Sequence, residues 1–261
     1  MKELLQLVPS QYQNRVRINR KDGSVLTEIP PGPFQMGDNE DSDCPSHTVH
    51  LDTYLIGVFA VTNRQYQRFV EETGHRAPDG AEWGIPIWRH GRFPEELALH
   101  AVVCVSWEDA MAYCDWADCT LPSEAQWEKA ARGSAGYKYP WGNEWNKAHC
   151  MNYMNKGGEQ TAPVYGCPSG MSDYGLFNCS GNVLEWCRDW YEAGYYAITP
   201  IMNPEGPVQG NYRVARGGSW GSGPTDCRCA YRGDYNLPGE RADFRGFRIA
   251  NTSESLGTIL T

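Results

Sequence analysis

Leu121-Pro122-Ser123-Glu124-Ala125-Gln126-Trp127-Glu128 opens the last stretch of helical periodicity in the chain. Ser123 supplies a hydroxyl cap, Glu124 puts an acid in the first turn where the helix dipole favours one, and Gln126 stands three residues on. The helix is expected to close near Arg132-Gly133. From residue 134 onward the pattern breaks into short runs separated by Gly, Pro, Asn and Asp, such as Pro140-Trp141-Gly142-Asn143. No amphipathic segment of helical length recurs, so the back half is read as loops and short strands.

Working outward toward the N-terminus, two more helix starts precede this one. In Ser106-Trp107-Glu108-Asp109 the hydroxyl caps a free amide while the acid returns the bond, and Ala110, Tyr113, Cys114 and Ala117 form the buried stripe. Thr62 starts a helix over Asn63 to Glu72, with Tyr66, Phe69 and Val70 on one face and Gly74 as the stop. Residues 75–100, rich in Gly, Pro, Trp and charge, read as an insertion loop whose Trp83, Ile85, Ile87 and Trp88 are apolar enough to pack onto the body.

Composition bounds the function classes. At 261 residues with 41% apolar side chains the chain can bury a core, and 28 Gly with 17 Pro point to many turns. A formal charge of −9 argues against a phosphate-binding surface and hence against nucleic acid. No run approaches the length of a membrane span, and no apolar signal core follows Met1, so the chain reads as cytoplasmic by default. The ten cysteines are scattered and are read as thiols.

Four separated motifs stand in order: Ile29-Pro30-Pro31-Gly32-Pro33-Phe34-Gln35-Met36-Gly37 with Val61-Thr62-Asn63-Arg64-Gln65-Tyr66; Val105-Ser106-Trp107 running to the Leu121–Glu128 stretch; Gly181-Asn182-Val183-Leu184-Glu185-Trp186; and Arg216-Gly217-Gly218-Ser219-Trp220 through Gly246-Phe247-Arg248. Together they resemble the formylglycine-generating enzyme (sulfatase-modifying factor) family. The resemblance implies an α+β, variant C-type lectin fold with a small twisted antiparallel sheet, two main helices and much irregular chain. It divides the sequence into an N-terminal extension (1–24), one domain (25–250) and a tail (251–261), with 216–250 as a candidate variable region.

This scaffold hosts oxidases, non-haem iron enzymes and binding proteins, so the site must decide. In the oxidases the resemblance assigns copper(I), a soft ion suited to two thiolates, to cysteines five apart after the Gly-Gly-Ser-aromatic turn. Ser222 and Cys227 occupy those positions here, which argues against copper and against a catalytic residue. Cys227 with Cys229 is the alternative pair, since residues two apart on an extended chain point to the same side; two small buried side chains is the other reading. The ergothioneine-type iron branch relies on an extra four-helix domain for which this length leaves no room. His47 and His50 read as surface or hydrogen-bonded histidines.

The tail is similar to the variable proteins of diversity-generating retroelements, whose last strands and loops form a ligand-binding surface. Residues that asparagine-codon mutation can reach fall in runs between fixed-looking ones. The candidate ligand-binding residues are Gly221, Ser222, Gly223, Asp226, Cys229, Tyr231, Gly233, Asp234, Tyr235, Asn236, Ala242, Asp243 and Phe244. Such a face suits a protein or other surface ligand, because Tyr gives amphipathic contact area at low entropic cost while Ser, Gly, Asn and Asp adapt their hydrogen bonds. Arg228, Arg232 and Arg248 are expected to brace the fold. The resemblance also implies a calcium site on Asn178, Gly181 (backbone), Val183 (backbone) and Glu185, hard oxygens of the kind that ion takes; a loop carboxylate capping backbone amides is the alternative role for Glu185. A second ion site near Asn152 and Tyr153 lacks its expected acid.

Overall fold

Each of the three helix starts read from the sequence carries the reciprocal cap that its residues suggest. A computed structural model describes residues 3–158, 160–233 and 236–252. The chain opens with a single helical turn α1 (Glu3–Leu7) and strands β1 (Val16–Ile18), β2 (Val25–Ile29), β3 (Gly32–Met36), β4 (His47–Leu51) and β5 (Tyr54–Gly57). Helices α2 (Asn63–Thr73), α3 (Trp107–Trp116) and α4 (Glu124–Arg132) follow. Capping boxes Thr62/Gln65, Ser106/Asp109 and Ser123/Gln126 start them, and Gly74 in the left-handed region ends α2. Three helices of nine to eleven residues, rather than two, make up the helical layer.

After Gly133 the chain forms only short strands between loops: β6 (Leu184–Trp190), β7 (Arg213–Arg216), β8 (Arg232–Gly233), β9 (Arg245–Phe247) and β10 (Ala250–Thr252). One sheet runs β1-β2-β5-β10, all antiparallel, and a second runs β8-β7-β6-β9, in which only the β6·β9 pair is parallel. β3 and β4 form a separate hairpin. Because β9 lies in the second sheet and β10 in the first, the residues between them tie the two sheets together.

The pairings move both expected domain boundaries. Val16–Ile18 pairs with Val25–Thr27, and Leu4 and Val8 are buried against Val58, Phe59 and Phe177, so residues before 25 belong to the domain. At the other end Asn251 and Thr252 continue the pairing of β10 with β5; the tail from 253 lies outside the described residues.

The core is held by aromatic packing and buried ion pairs. Trp127 and Trp186 are fully enclosed, as are Arg216, Arg228 and Arg248. Arg216 reaches Glu124 at 2.9 Å and also pairs with Glu128; Arg232 binds Glu124 at 2.8 Å; Arg228 binds Asp38 at 2.6 Å and also pairs with Asp41. Arg248 binds Glu185 at 2.5 Å and donates to the carbonyls of Gly57 and Phe177. Bracing by these arginines is thus observed, through carboxylates as well as carbonyls. His47 lies with Nδ1 2.9 Å from the Pro45 carbonyl and its ring edge-on to Tyr196, a hydrogen-bonded histidine as expected.

All ten cysteines are thiols. Among the described residues no helix is long and apolar enough to cross a membrane.

Candidate functional site

β7 pairs with β6 as far as Arg216, opposite Glu185, and there the chain must turn. Gly217 and Gly218 take φ of 96° and 68°, values that L side chains rarely adopt. A side chain at Gly218 would also meet the Cys227 sulfur, 3.1 Å from its Cβ position. The turn then closes on itself. Ser222 N donates to Ser219 O at 3.0 Å, and Ser222 Oγ accepts from Ser219 N at 3.0 Å. The hydroxyl where the oxidase pattern would need a thiolate is therefore engaged in capping its own loop.

Beside this turn lies a cavity of about 140 Å³ whose walls include Ser222, Asp226, Tyr231, Gly233, Asn236 and Phe244. Six of the predicted ligand-binding residues are thus brought together. Gly221 and Gly223 sit on the adjoining rim, next to the 150–156 loop: Tyr153 N donates to Ser222 O at 3.2 Å and the Lys156 ammonium lies 3.9 Å from the Trp220 ring centre.

The other predicted contacts are placed differently. Cys229 is fully buried in the core cluster that holds Trp127; Asn236, although a wall of the cavity, is itself only 3% exposed with its amide donating to Gly233 O. Ala242 and Asp243 are covered by the insertion. Asp243 accepts from Ile85 N at 2.8 Å and from Gln160 Nε2 at 2.6 Å, while Asp243 N donates to Trp83 O. These residues were expected on the surface; their polar atoms instead satisfy buried backbone. Asp234 and Tyr235 lie outside the described residues. The insertion packs down through Trp88, whose indole donates to Asn63 Oδ1 at 2.8 Å, but Trp83 and Ile85 remain exposed. Truncating the clasp, Asp243→Ala, leaves the Ile85 amide unpaired at a cost of about 1–3 kcal/mol. Limited proteolysis within residues 75–100 is expected to quicken severalfold while cleavage elsewhere keeps pace with wild type.

Cys227 and Cys229 do not share a ligand direction. The segment is turned rather than extended, with Cys227 N bonded to Gly223 O and Tyr231 N to Arg228 O, so the same-side rule for strands does not apply. Cys227 instead contacts Cys150, a residue the sequence did not single out. The Cys150 thiol is held below its ordinary pKa by the hydrogen bond from Cys227, against the opposing effect of burial, with help from Asn152. Cys227 is correspondingly raised, by that same bond and then by burial.

The implied calcium ligands are only partly free. Asn178 Oδ1 is buried without a partner, as an ion ligand would be. Glu185, however, gives Oε1 to Arg248 Nη2 at 2.7 Å and Oε2 to both Arg248 Nε at 2.5 Å and the Trp127 indole at 2.7 Å. A carboxylate neutralised on both oxygens by a guanidinium does not fit a dication site. Nor does Glu185 cap backbone amides. Asn152 is likewise used by its own loop, accepting from Met154 N and donating to Lys147 O and Cys150 O. Among the described residues Asp41, Asp43 and Cys44 also converge, and Arg228 already pairs with Asp41.

The sulfatase-modifying factor enzyme 1-like domain matches residues 12–253. The formylglycine-generating enzyme of Streptomyces coelicolor is 38% identical, covering 87% of this chain and 88% of that enzyme. The mouse enzyme of the same name is 33% identical over 86% of this chain and 74% of its own length. Among solved structures, Treponema denticola variable protein 1 superposes with a TM-score of 0.74 at 26% identity, covering 88% of this chain and 95% of that protein. The fold is the variant C-type lectin fold that the motifs implied, and the chain belongs to the sulfatase-modifying factor enzyme 1-like family.

Proposed function

We propose that this chain is a non-catalytic ligand-binding member of its family, recognising a protein or other surface ligand through the Gly221–Phe244 face. The observation that carries the reading is the Ser222 hydroxyl, which caps its own turn at the position where the oxidase branch places a thiolate. The likeness to a variable protein supports it, as does the gathering of Ser222, Asp226, Tyr231 and Phe244 around one cavity. Diversification of this segment by a retroelement is the genetic context we propose. It requires a near-copy of the Trp220–Arg248 coding segment, with asparagine codons at the variable places, beside a reverse transcriptase gene; a neighbourhood lacking both removes that context.

A second reading, an oxidase or other metal-dependent enzyme, is favoured by the identity to formylglycine-generating enzymes and by the contact of Cys150 with Cys227. Reduced protein loaded with copper(I) and given a cysteine-bearing sulfatase-motif peptide separates the two. The binding reading expects no aldehyde product above the protein-free blank under conditions where a formylglycine-generating enzyme converts the peptide. Turnover that disappears in Cys227→Ala would establish the enzyme instead.

A further inference from the structure

Cys150 and Cys227 are far apart in sequence but in thiol contact, and each is enclosed, at 1% and 0% exposure. Two glycines make the space. A Cβ at Gly181 would stand 3.4 Å from Cys150 Cβ, and one at Gly218 would stand 3.1 Å from Cys227 Sγ. The backbones carrying these glycines are themselves joined by Gly181 N to Gly217 O at 2.8 Å. The thiol pair therefore bridges two loops: the 150–156 loop, anchored by Tyr153 N to Ser222 O, and the turn-rich 219–231 segment, where Ser180 Oγ donates to Cys227 O at 2.6 Å.

We propose that Cys150 and Cys227 are a redox-sensitive pair that closes to a disulfide when a peroxide oxidises it and reopens with a dithiol reductant. Asn152 Nδ2, 3.6 Å from Cys150 Sγ, and the Cys227 S–H both stabilise the Cys150 thiolate, which makes Cys150 the attacking sulfur. The thiolate attacks one peroxide oxygen, the O–O bond breaks, and the departing hydroxide takes a proton to leave as water. Cys227 sulfur then attacks the Cys150 sulfenic acid; the S–O bond breaks and a second water leaves with the Cys227 proton. Two thiols and one peroxide give one disulfide and two waters. Gly218, whose Cβ position stands 3.1 Å from Cys227 Sγ, and Asp226, the residue before Cys227, are walls of the cavity beside the turn. Closing the bond fixes one side of the cavity to the 150–156 loop, so oxidation stiffens the proposed recognition face whichever ligand that face takes.

The contact between Cys114 and Cys119, at the end of α3, is an internal comparison: it joins neighbours in sequence and restrains little. The full chain, reduced, desalted, treated with hydrogen peroxide and then alkylated, tests the proposal. Two of the ten thiols are expected to be lost, with one peptide linked through Cys150 and Cys227, restored by dithiothreitol. Closing the long loop also raises Tm by several degrees. Cys150→Ser and Cys227→Ser, checked for wild-type circular dichroism, each lose the linked peptide and the shift. Linkage of Cys114 to Cys119 alone, linkage of Cys150 to Cys167, or oxidation of Cys150 to sulfinic acid without a link overturns the proposal. The wild-type peptide map decides even where a variant does not fold.

Discussion

Arg216→Met is expected to lower Tm by roughly 6–20 °C, among the largest losses available to a single substitution in this fold. Arg216 is fully enclosed and serves two carboxylates, Glu124 and Glu128, and the Cys229 carbonyl at once. Burial by itself would raise the pKa of Glu124; the charges of Arg232 and Arg216 overcome it and hold the carboxyl below its ordinary value. Removing one guanidinium strands buried negative charge, a loss of about 3–5 kcal/mol. Arg216→Lys restores a charge but not the planar fork that reaches both acids, and is expected to recover less than half the loss. The double variant Arg216→Met, Glu128→Gln removes one stranded charge with its partner and is expected to lose well less than the sum of the two single losses. Thermal melts of wild type, Arg216→Met, Glu128→Gln and the double variant at pH 7 check the coupling; additive losses would show that the network is not electrostatically linked.

The same network explains which parts of the fold could be read in advance. The caps at Thr62, Ser106 and Ser123 involve residues three apart, so the chemistry that starts each helix is written locally. β1 is three residues long and has no pattern of its own; its partner Val25–Thr27 makes it a strand. The calcium ligands followed from a motif, yet Glu185 is claimed by Arg248, which arrives from the far end of the chain at a separation of 63 residues. A motif names a carboxylate. It does not name the cation that reaches it first.

The proposed recognition face was legible in composition and less so in exposure. Asp243 has the look of an adaptable surface acid, but its partners Ile85 and Gln160 stand 158 and 83 residues away, and only the packed insertion reveals that it is enclosed. Cys150 gave no local signal either, because a single cysteine before Met151 and Asn152 acquires meaning only when Cys227 folds onto it. Tyr231 and Phe244 kept partial exposure because they sit where turns, not strands, present them.

Asp189 gives the second large expected effect, and its sign is opposite to that of most carboxylates. Burial, followed by the negative charge of Glu124, pushes its pKa up to about 7, while Glu124 N donates to it at 2.8 Å. An unfolded aspartate ionises near pH 4. Below that both states hold the proton and the group adds nothing to the pH dependence. Between about pH 4 and pH 7 the folded protein keeps a proton that the unfolded chain releases, so stability falls as pH rises, by up to about 1.4 kcal/mol for each pH unit, and levels above pH 7. Other groups, Glu124 among them, act the opposite way, so the difference between two proteins is the clean measurement. Asp189→Asn is isosteric with the protonated acid and can still accept from the Glu124 amide. Its Tm relative to wild type is expected to rise by several degrees between pH 5 and pH 8. Parallel melting curves across that range would mean that Asp189 is already ionised in the folded protein at pH 5, held charged by Arg188 and Arg232 despite its burial.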